Sequence, residues 1–254
     1  MPSRDKETYS IQAVENALDV LEALSEVDED IRISQLSEKL AMNKTSVFRL
    51  LATFENRGYV EREERSGKYR LGLSAYEIGQ KFLSRMGLLR HARPVMERLS
   101  RNCDESVYLT IRRNQEILFL DMIDTTQKVK IVSLVGKRYP LTETSCGRVL
   151  LAFEKLGSRS DVNGNSELAE QITTIQRNGY ALGYGDLGEG VAVLSAPLFG
   201  NGGKLHGALC VIGPEFRLTE TEMLNRITPP LFEACGVISS KLGWHASHLP
   251  PGSS

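Results

Sequence analysis

Cysteine, histidine and tryptophan are all scarce in this chain of 254 residues, at four, four and one copies. The cysteines (Cys103, Cys146, Cys210, Cys235) are scattered with no C-x-x-C pair, which argues against a zinc site and a disulfide framework. The histidines (His91, His206, His245, His248) sit in no recognisable catalytic or ligand motif. No metal and no cofactor are therefore expected. The chain also lacks a membrane-length apolar run, an apolar leader in its first ten residues and any internal repeat. These absences point to a protein of the reducing cytoplasm with no membrane partner. Low complexity is confined to the tail "HLPPGSS", expected to be disordered.

An excess of one charge is missing as well. The net charge of −1 means that the molecule as a whole advertises no polyanion partner. The distribution is less even than the total. Between Arg32 and Gly72 nine cations stand against five anions, a local balance of +4, while Glu15 to Asp30 forms an acidic face and loop. A basic segment on a near-neutral chain suggests a local anion-binding surface, although a solvated mixed-charge face would look the same.

The order of elements separates these readings. Val14, Leu18, Leu21 and Leu24 stripe a first helix, about Ile11–Glu26. Ile33, Leu36 and Leu40 stripe a short second helix, with Ser34 as its expected cap. Val47, Leu50, Leu51 and Phe54 stripe a third, with Asn43 as N-cap and Gly58 as stop. "YVEREERSGKYRLG" then reads as a hairpin. Helix, helix, tight turn, helix and hairpin make a winged helix-turn-helix over residues 10–72. In such a unit the third helix enters the major groove, and its front end presents Lys44, Thr45, Ser46 and Arg49. Arg62, Arg65 and Lys68 on the hairpin are placed to meet adjacent phosphates.

Residues 73–87 read as a linker helix, apolar on more than one face, and so fitted to pack against another subunit or domain. Residues 88–245 read as an α+β sensor and oligomerisation domain of PAS or GAF type. A helix over about 88–102 leads into a hairpin joined at Asn114–Gln115. "KVKIVSLV" follows as a third strand, and a short helix opens near Ser145. A helix ended by Gly179 comes next, then strands "GVAVLSAPLF" and "KLHGALCVIG". A closing helix is capped by Thr219 with Glu222.

"NKTSVFRLLATFENRGYVEREERSGKYRLG" resembles the DNA-binding half of IclR-type bacterial transcriptional regulators. The similarity continues at "VYLTIRRNQEILFLDMID", "RYPLTETSCGRVLLA", "NGYAL" and "GVAVLSAPLFGNGGKLHGALCVIGPEFRLTE", covering Ile11 to about Gly243. The resemblance implies a homodimer, often a dimer of dimers, that binds inverted-repeat operator DNA and senses a small organic or aromatic acid. It carries DNA reading to Lys44, Thr45, Ser46 and Arg49, with the wing at Arg62–Lys68. It carries the effector pocket to Tyr139, Ser145, Cys146, Val193, Cys210 and Ile212.

The chain departs from the family at four places. Thr142 stands for a usual His and Arg148 for a common Lys. Leu182 and Gly183 stand where an acidic residue is usual, and Glu154–Ser166 is short. The start of "TETSCG" suggests an anchor for a carboxylate at Thr144, Ser145, Cys146 and Gly147 through exposed amides, with Arg148 as possible help. The alternative is a cysteine-dependent enzyme or thiol redox sensor using Cys146 at a helix N-terminus, which lacks a recognisable base or partner thiol.

Overall fold

A computed structural model describes residues 10–27, 29–154 and 166–244. Residues 155–165, the heart of the short Glu154–Ser166 stretch, and the "HLPPGSS" tail lie outside the described residues. The chain divides into two compact units between Arg85 and Met86.

The first unit runs α1 (Gln12–Ser25), α2 (Ile33–Lys39), α3 (Lys44–Asn56), β1 (Val60–Arg62), β2 (Tyr69–Leu71) and α4 (Leu73–Arg85). Its core joins Val20, Ala23, Leu24, Leu36, Val47, Leu51, Val60 and Tyr69. Ile31 and Tyr69 exchange backbone hydrogen bonds of 2.8 and 3.0 Å, which ties the hairpin to the entry of α2. Two expectations fail here. Val14 and Leu18 do not enter the core but stand half exposed, because α1 turns Val20 and Ala23 inward instead. Ser34 does not cap α2: the helix starts at Ile33, and the Arg32 N–H is taken by the Gln35 side chain at 3.0 Å. In α4 no residue is buried, and Leu73, Tyr76, Ile78 and Phe82 are all exposed.

The second unit is a six-stranded antiparallel sheet with helices on both faces. Its strands are β3 (Ser106–Arg113), β4 (Glu116–Ile123), β5 (Arg138–Pro140), β6 (Ala181–Tyr184), β7 (Val191–Gly200) and β8 (Lys204–Pro214), in the order β5-β4-β3-β8-β7-β6. Alternation along the central strands feeds two cores. Leu209 and Val211 point into the layer of α5 (Gly87–Cys103) and α9 (Thr228–Lys241). Ala208, Cys210 and Ile212 point into the layer of α6 (Ser145–Phe153) and α7 (Ser166–Asn178).

"KVKIVSLV" is not a strand. The edge of β4 is paired by Arg138–Pro140, and only Ile131 and Leu134 of the preceding segment pack inward, leaving Val129, Val132 and Val135 exposed. β6, by contrast, was not expected. The closing helix is also interrupted: α8 (Glu220–Glu222) passes through a π-turn (Met223–Ile227) into α9. Pro229 and Pro230 have no N–H to continue the ladder, and the Met223 carbonyl accepts both the Thr228 N–H that closes the π-turn and the Thr228 hydroxyl at 2.8 Å. Thr219 does cap the start, but Glu222 reaches forward to Arg226 rather than back.

Candidate functional site: an exposed helix face and a closed helix terminus

Asn43 opens α3 as expected. Its Oδ1 accepts the Ser46 N–H at 2.8 Å. The first amides of any helix lack partners within it, so the front of α3 keeps its capacity for anions. Lys44, Thr45 and Arg49 are exposed and Ser46 half-buried, on the side opposite the buried Val47 and Leu51. Among the described residues the Lys44 and Arg49 side chains enter no ion pair. On the hairpin, Arg62 and Arg65 are exposed and Lys68 is half-buried. The Arg62 guanidinium lies 5.7 Å from the Tyr69 ring centroid. Arg70 is neutralised by Glu61 at 3.1 Å. One residue of this face escaped the sequence reading: Phe48, half exposed beside Arg49. Its signal was available, since it is an apolar side chain one step off the 47, 50, 51, 54 stripe.

In the second unit, the expected pocket residues Cys146, Val193, Cys210 and Ile212 do converge. They belong to one buried cluster, with Tyr139 packed at its margin. Tyr139 stacks edge-on against Phe119, which in turn meets Tyr108. Burial raises the Tyr108 phenol to about 12.

The expected open helix terminus is closed. The Thr144 hydroxyl accepts the Gly147 N–H at 3.0 Å. The Ser145 N–H donates at 2.5 Å to the carboxylate of Asp186, which also receives Arg148 Nη2 at 3.4 Å. Arg148 therefore faces inward to Asp186, not outward. Asp186 is the residue that sequence reasoning missed. It supplies from the β6–β7 connection the acidic group that Leu182 and Gly183 fail to provide. Gly183 makes room for it: a Cβ there would fall 2.4 Å from Asp186 Oδ2 and 2.5 Å from Ser145 Oγ. Two buried polar atoms at this spot have no hydrogen-bond partner, Ser145 Oγ and Asp186 Oδ1.

Cys146 is fully buried and its sulfur accepts the Ser195 hydroxyl at 3.3 Å. Position at a helix N-terminus predicts an acidified thiol, but burial, reinforced by the neighbouring Cys210, pushes the Cys146 thiol well above its ordinary value. The chemistry open to it is packing and weak hydrogen bonding rather than nucleophilic attack. Among the described residues no His, Cys, Asp and Glu cluster could hold a metal, and no helix is long and apolar enough to cross a membrane.

Comparison with known proteins gives these faces their context. Residues 13–64 match the IclR helix-turn-helix domain, and residues 80–240 match the bacterial transcriptional regulator IclR C-terminal domain. The transcriptional regulator KdgR of Escherichia coli is 29% identical, over 95% of this chain and 96% of its own. KipR of Bacillus subtilis, likewise an HTH-type transcriptional regulator, is 31% identical over 84% of this chain and 90% of its own. The fold is shared with an IclR homologue of Microbacterium hydrocarbonoxydans crystallised with 4-hydroxybenzoate. That structure has a TM-score of 0.78 at 24% identity, covering 91% of this chain and 98% of that one. Two domain matches in order, together spanning most of the chain, and a relative above 30% identity establish that this protein belongs to the IclR family of DNA-binding bacterial transcriptional regulators.

Proposed function

We propose that α3 reads operator DNA in the major groove through Lys44, Thr45, Ser46 and Arg49. The β1–β2 hairpin acts as the wing, bringing Arg62, Arg65 and Lys68 to neighbouring phosphates. The observation that carries this reading is the Asn43-capped front of α3, with exposed cations on one side and a fully buried Val47 and Leu51 on the other. Arg49 is long enough to bridge to a guanine edge, and Phe48 beside it suits a thymine methyl.

One such unit makes few contacts, so tight specific binding takes two. The exposed apolar faces of α1 (Val14, Leu18) and α4 (Tyr76, Ile78, Phe82) supply the surface on which a second copy pairs. The functional division is residues 10–72 for DNA, 73–87 for the connecting helix and 88–245 for sensing and assembly. The protein works in the cytoplasm as a homodimer or a dimer of dimers. Its operator is an inverted repeat with half-sites about 34 Å apart, or a multiple of that.

The C-terminal unit, with its sheet covered by helices on both faces in the manner of PAS and GAF sensors, binds a small organic or aromatic acid in the layer between sheet and α6. Tyr139, Cys146, Val193, Cys210 and Ile212 form the apolar walls, and Thr144, Ser145 and Gly147 the polar end. The ligand acts by binding one arrangement of the assembled protein better than another. The test is binding to DNA upstream of the protein's own gene, with and without a panel of small organic acids. Salt-sensitive, sequence-selective binding that shifts with one acid supports the reading. Equal affinity for that fragment and for random DNA refutes it.

A further inference from the structure

Three of the donors that a carboxylate would seek at the front of α6 are engaged from within the protein. The Ser145 N–H and Arg148 Nη2 both serve Asp186 Oδ2, and the Gly147 N–H serves Thr144. What remains without a partner has the opposite character. Asp186 Oδ1 is a pure acceptor, and Ser145 Oγ both donates and accepts. Both are enclosed: Ser145 is 0% exposed and the Asp186 side chain 8%. They share one place, since Ser145 Oγ and Asp186 Oδ2 flank the same missing Cβ of Gly183. A buried polar group is normally satisfied by protein, water or ligand, and a charged one left bare is the costlier case.

The surface on the far side of Arg148 is also acidic. A cleft of about 510 Å³ reaches Arg148, and its lining includes Glu167, Glu170 and Glu220. Arg148 is already matched by Asp186. An incoming carboxylate would stand against the bare Asp186 Oδ1, while the Ser145 N–H and Arg148 Nη2 already serve Asp186.

We infer that the end of the effector that docks at α6 is a hydroxyl and not a carboxylate. The hydroxyl donates to Asp186 Oδ1 and exchanges a second hydrogen bond with Ser145 Oγ. Asp186 thus acts as an internal anion that converts a carboxylate-binding helix end into a hydroxyl-binding one. The inference rests on the C-terminal unit being an effector sensor, and it assigns any acid group of the effector to the molecule's other end.

Calorimetric titration of the full-length protein with matched probes tests it. On one scaffold, 4-hydroxybenzoate is compared with benzoate and with benzene-1,4-dicarboxylate, which differ only at the docking end. On a second scaffold, 3-hydroxypropionate is compared with malonate. On at least one scaffold the hydroxyl probe should bind tighter by about tenfold or more, as a hydrogen bond to a charged acceptor implies. In Asp186→Asn the bare acceptor becomes an amide that can donate, and the preference should fall to about threefold or less. Ser145→Ala, which deletes the second partner, should weaken the hydroxyl probe and leave the carboxylate probe unchanged. Equal binding of hydroxyl and carboxylate probes, an unchanged preference in Asp186→Asn, or no binding of any hydroxyl probe overturns the inference. DNA binding of the unliganded wild type, measured in parallel, judges the regulator reading separately.

Discussion

Gly183→Ala is the smallest change that challenges the architecture around α6. The position takes an ordinary backbone conformation, so alanine strains nothing there and the unfolded chain would slightly favour it. The conflict lies in space. The new methyl would sit 2.4 Å from Asp186 Oδ2 and 2.5 Å from Ser145 Oγ, closer than packed atoms can stand. Asp186 has the freer side chain, so it leaves, and the Ser145 N–H and Arg148 lose their acceptor together. Loss of a hydrogen bond to a carboxylate, with a buried N–H orphaned, costs about 2 kcal/mol, or a fall in Tm of about 4–8 °C for a unit of this size. Thermal and urea unfolding of the full-length protein measure it, following the second unit's transition separately from the first. The diagnostic comparison is a double-mutant cycle with Asp186→Asn. If alanine acts by expelling Asp186, the two losses overlap and the double variant is little worse than Gly183→Ala alone. A neutral Gly183→Ala, or fully additive losses, would refute the packing argument.

Arg49→Ala should weaken operator binding by about 1–3 kcal/mol and relax specificity if Arg49 reads a base, as fluorescence anisotropy against operator and scrambled duplexes would report. Equal weakening on both duplexes, with a salt slope smaller by about one, would assign it to phosphate instead, and no change would remove it from the interface. Phe82→Glu on α4 should lower the oligomer mass seen by analytical ultracentrifugation and reduce operator affinity with it; an unchanged mass would clear α4 of any role in pairing. In the native protein Cys146 should resist iodoacetamide at neutral pH, because burial disfavours its thiolate; rapid modification there, located by mass spectrometry, would contradict the closed packing. Arg217→Ala should destabilise the second unit by about 3 kcal/mol in urea titrations, since it strands Glu105, which is buried and held by both its oxygens at 2.6 and 2.9 Å; a loss near zero would mean that water reaches Glu105 freely.

The DNA-facing half was largely legible because its signals are local. The α3 stripe, the Asn43 cap and the Gly58 stop all act within one helix and its ends, and Gly58 indeed adopts φ +73°. Local signals also misled where two were available. Ser34 is a good capping residue, but the helix already starts at Ile33 with Arg32 at the cap, which leaves Ser34 inside the first turn. Val129, Val132 and Val135 have strand-forming side chains, yet the one free edge of β4 was filled by Arg138–Pro140. β6 was invisible because Gly183 breaks the pattern of a strand, and the reason for that glycine is Asp186, which folds back on it from the β6–β7 connection. That Cys146, Val193, Cys210 and Ile212 share one buried cluster was legible. The polar end at the front of α6 was not. The partner of the α6 amide stands 41 residues further along the chain, and no rule of spacing links Ser145 to Asp186.

The naked surface of α4 has a consequence for when this protein can work. Thirteen residues are about the minimum for a helix to survive in water by its own ladder, and this one fully buries none of its side chains. If a second copy pairs on α4 as proposed, its winding and its partner's arrival become a single thermodynamic event. Dilution would unwind the connecting segment as well as separate the copies. The concentration of the chain would accordingly set how much of it is competent to grip an operator, before any small molecule has its say.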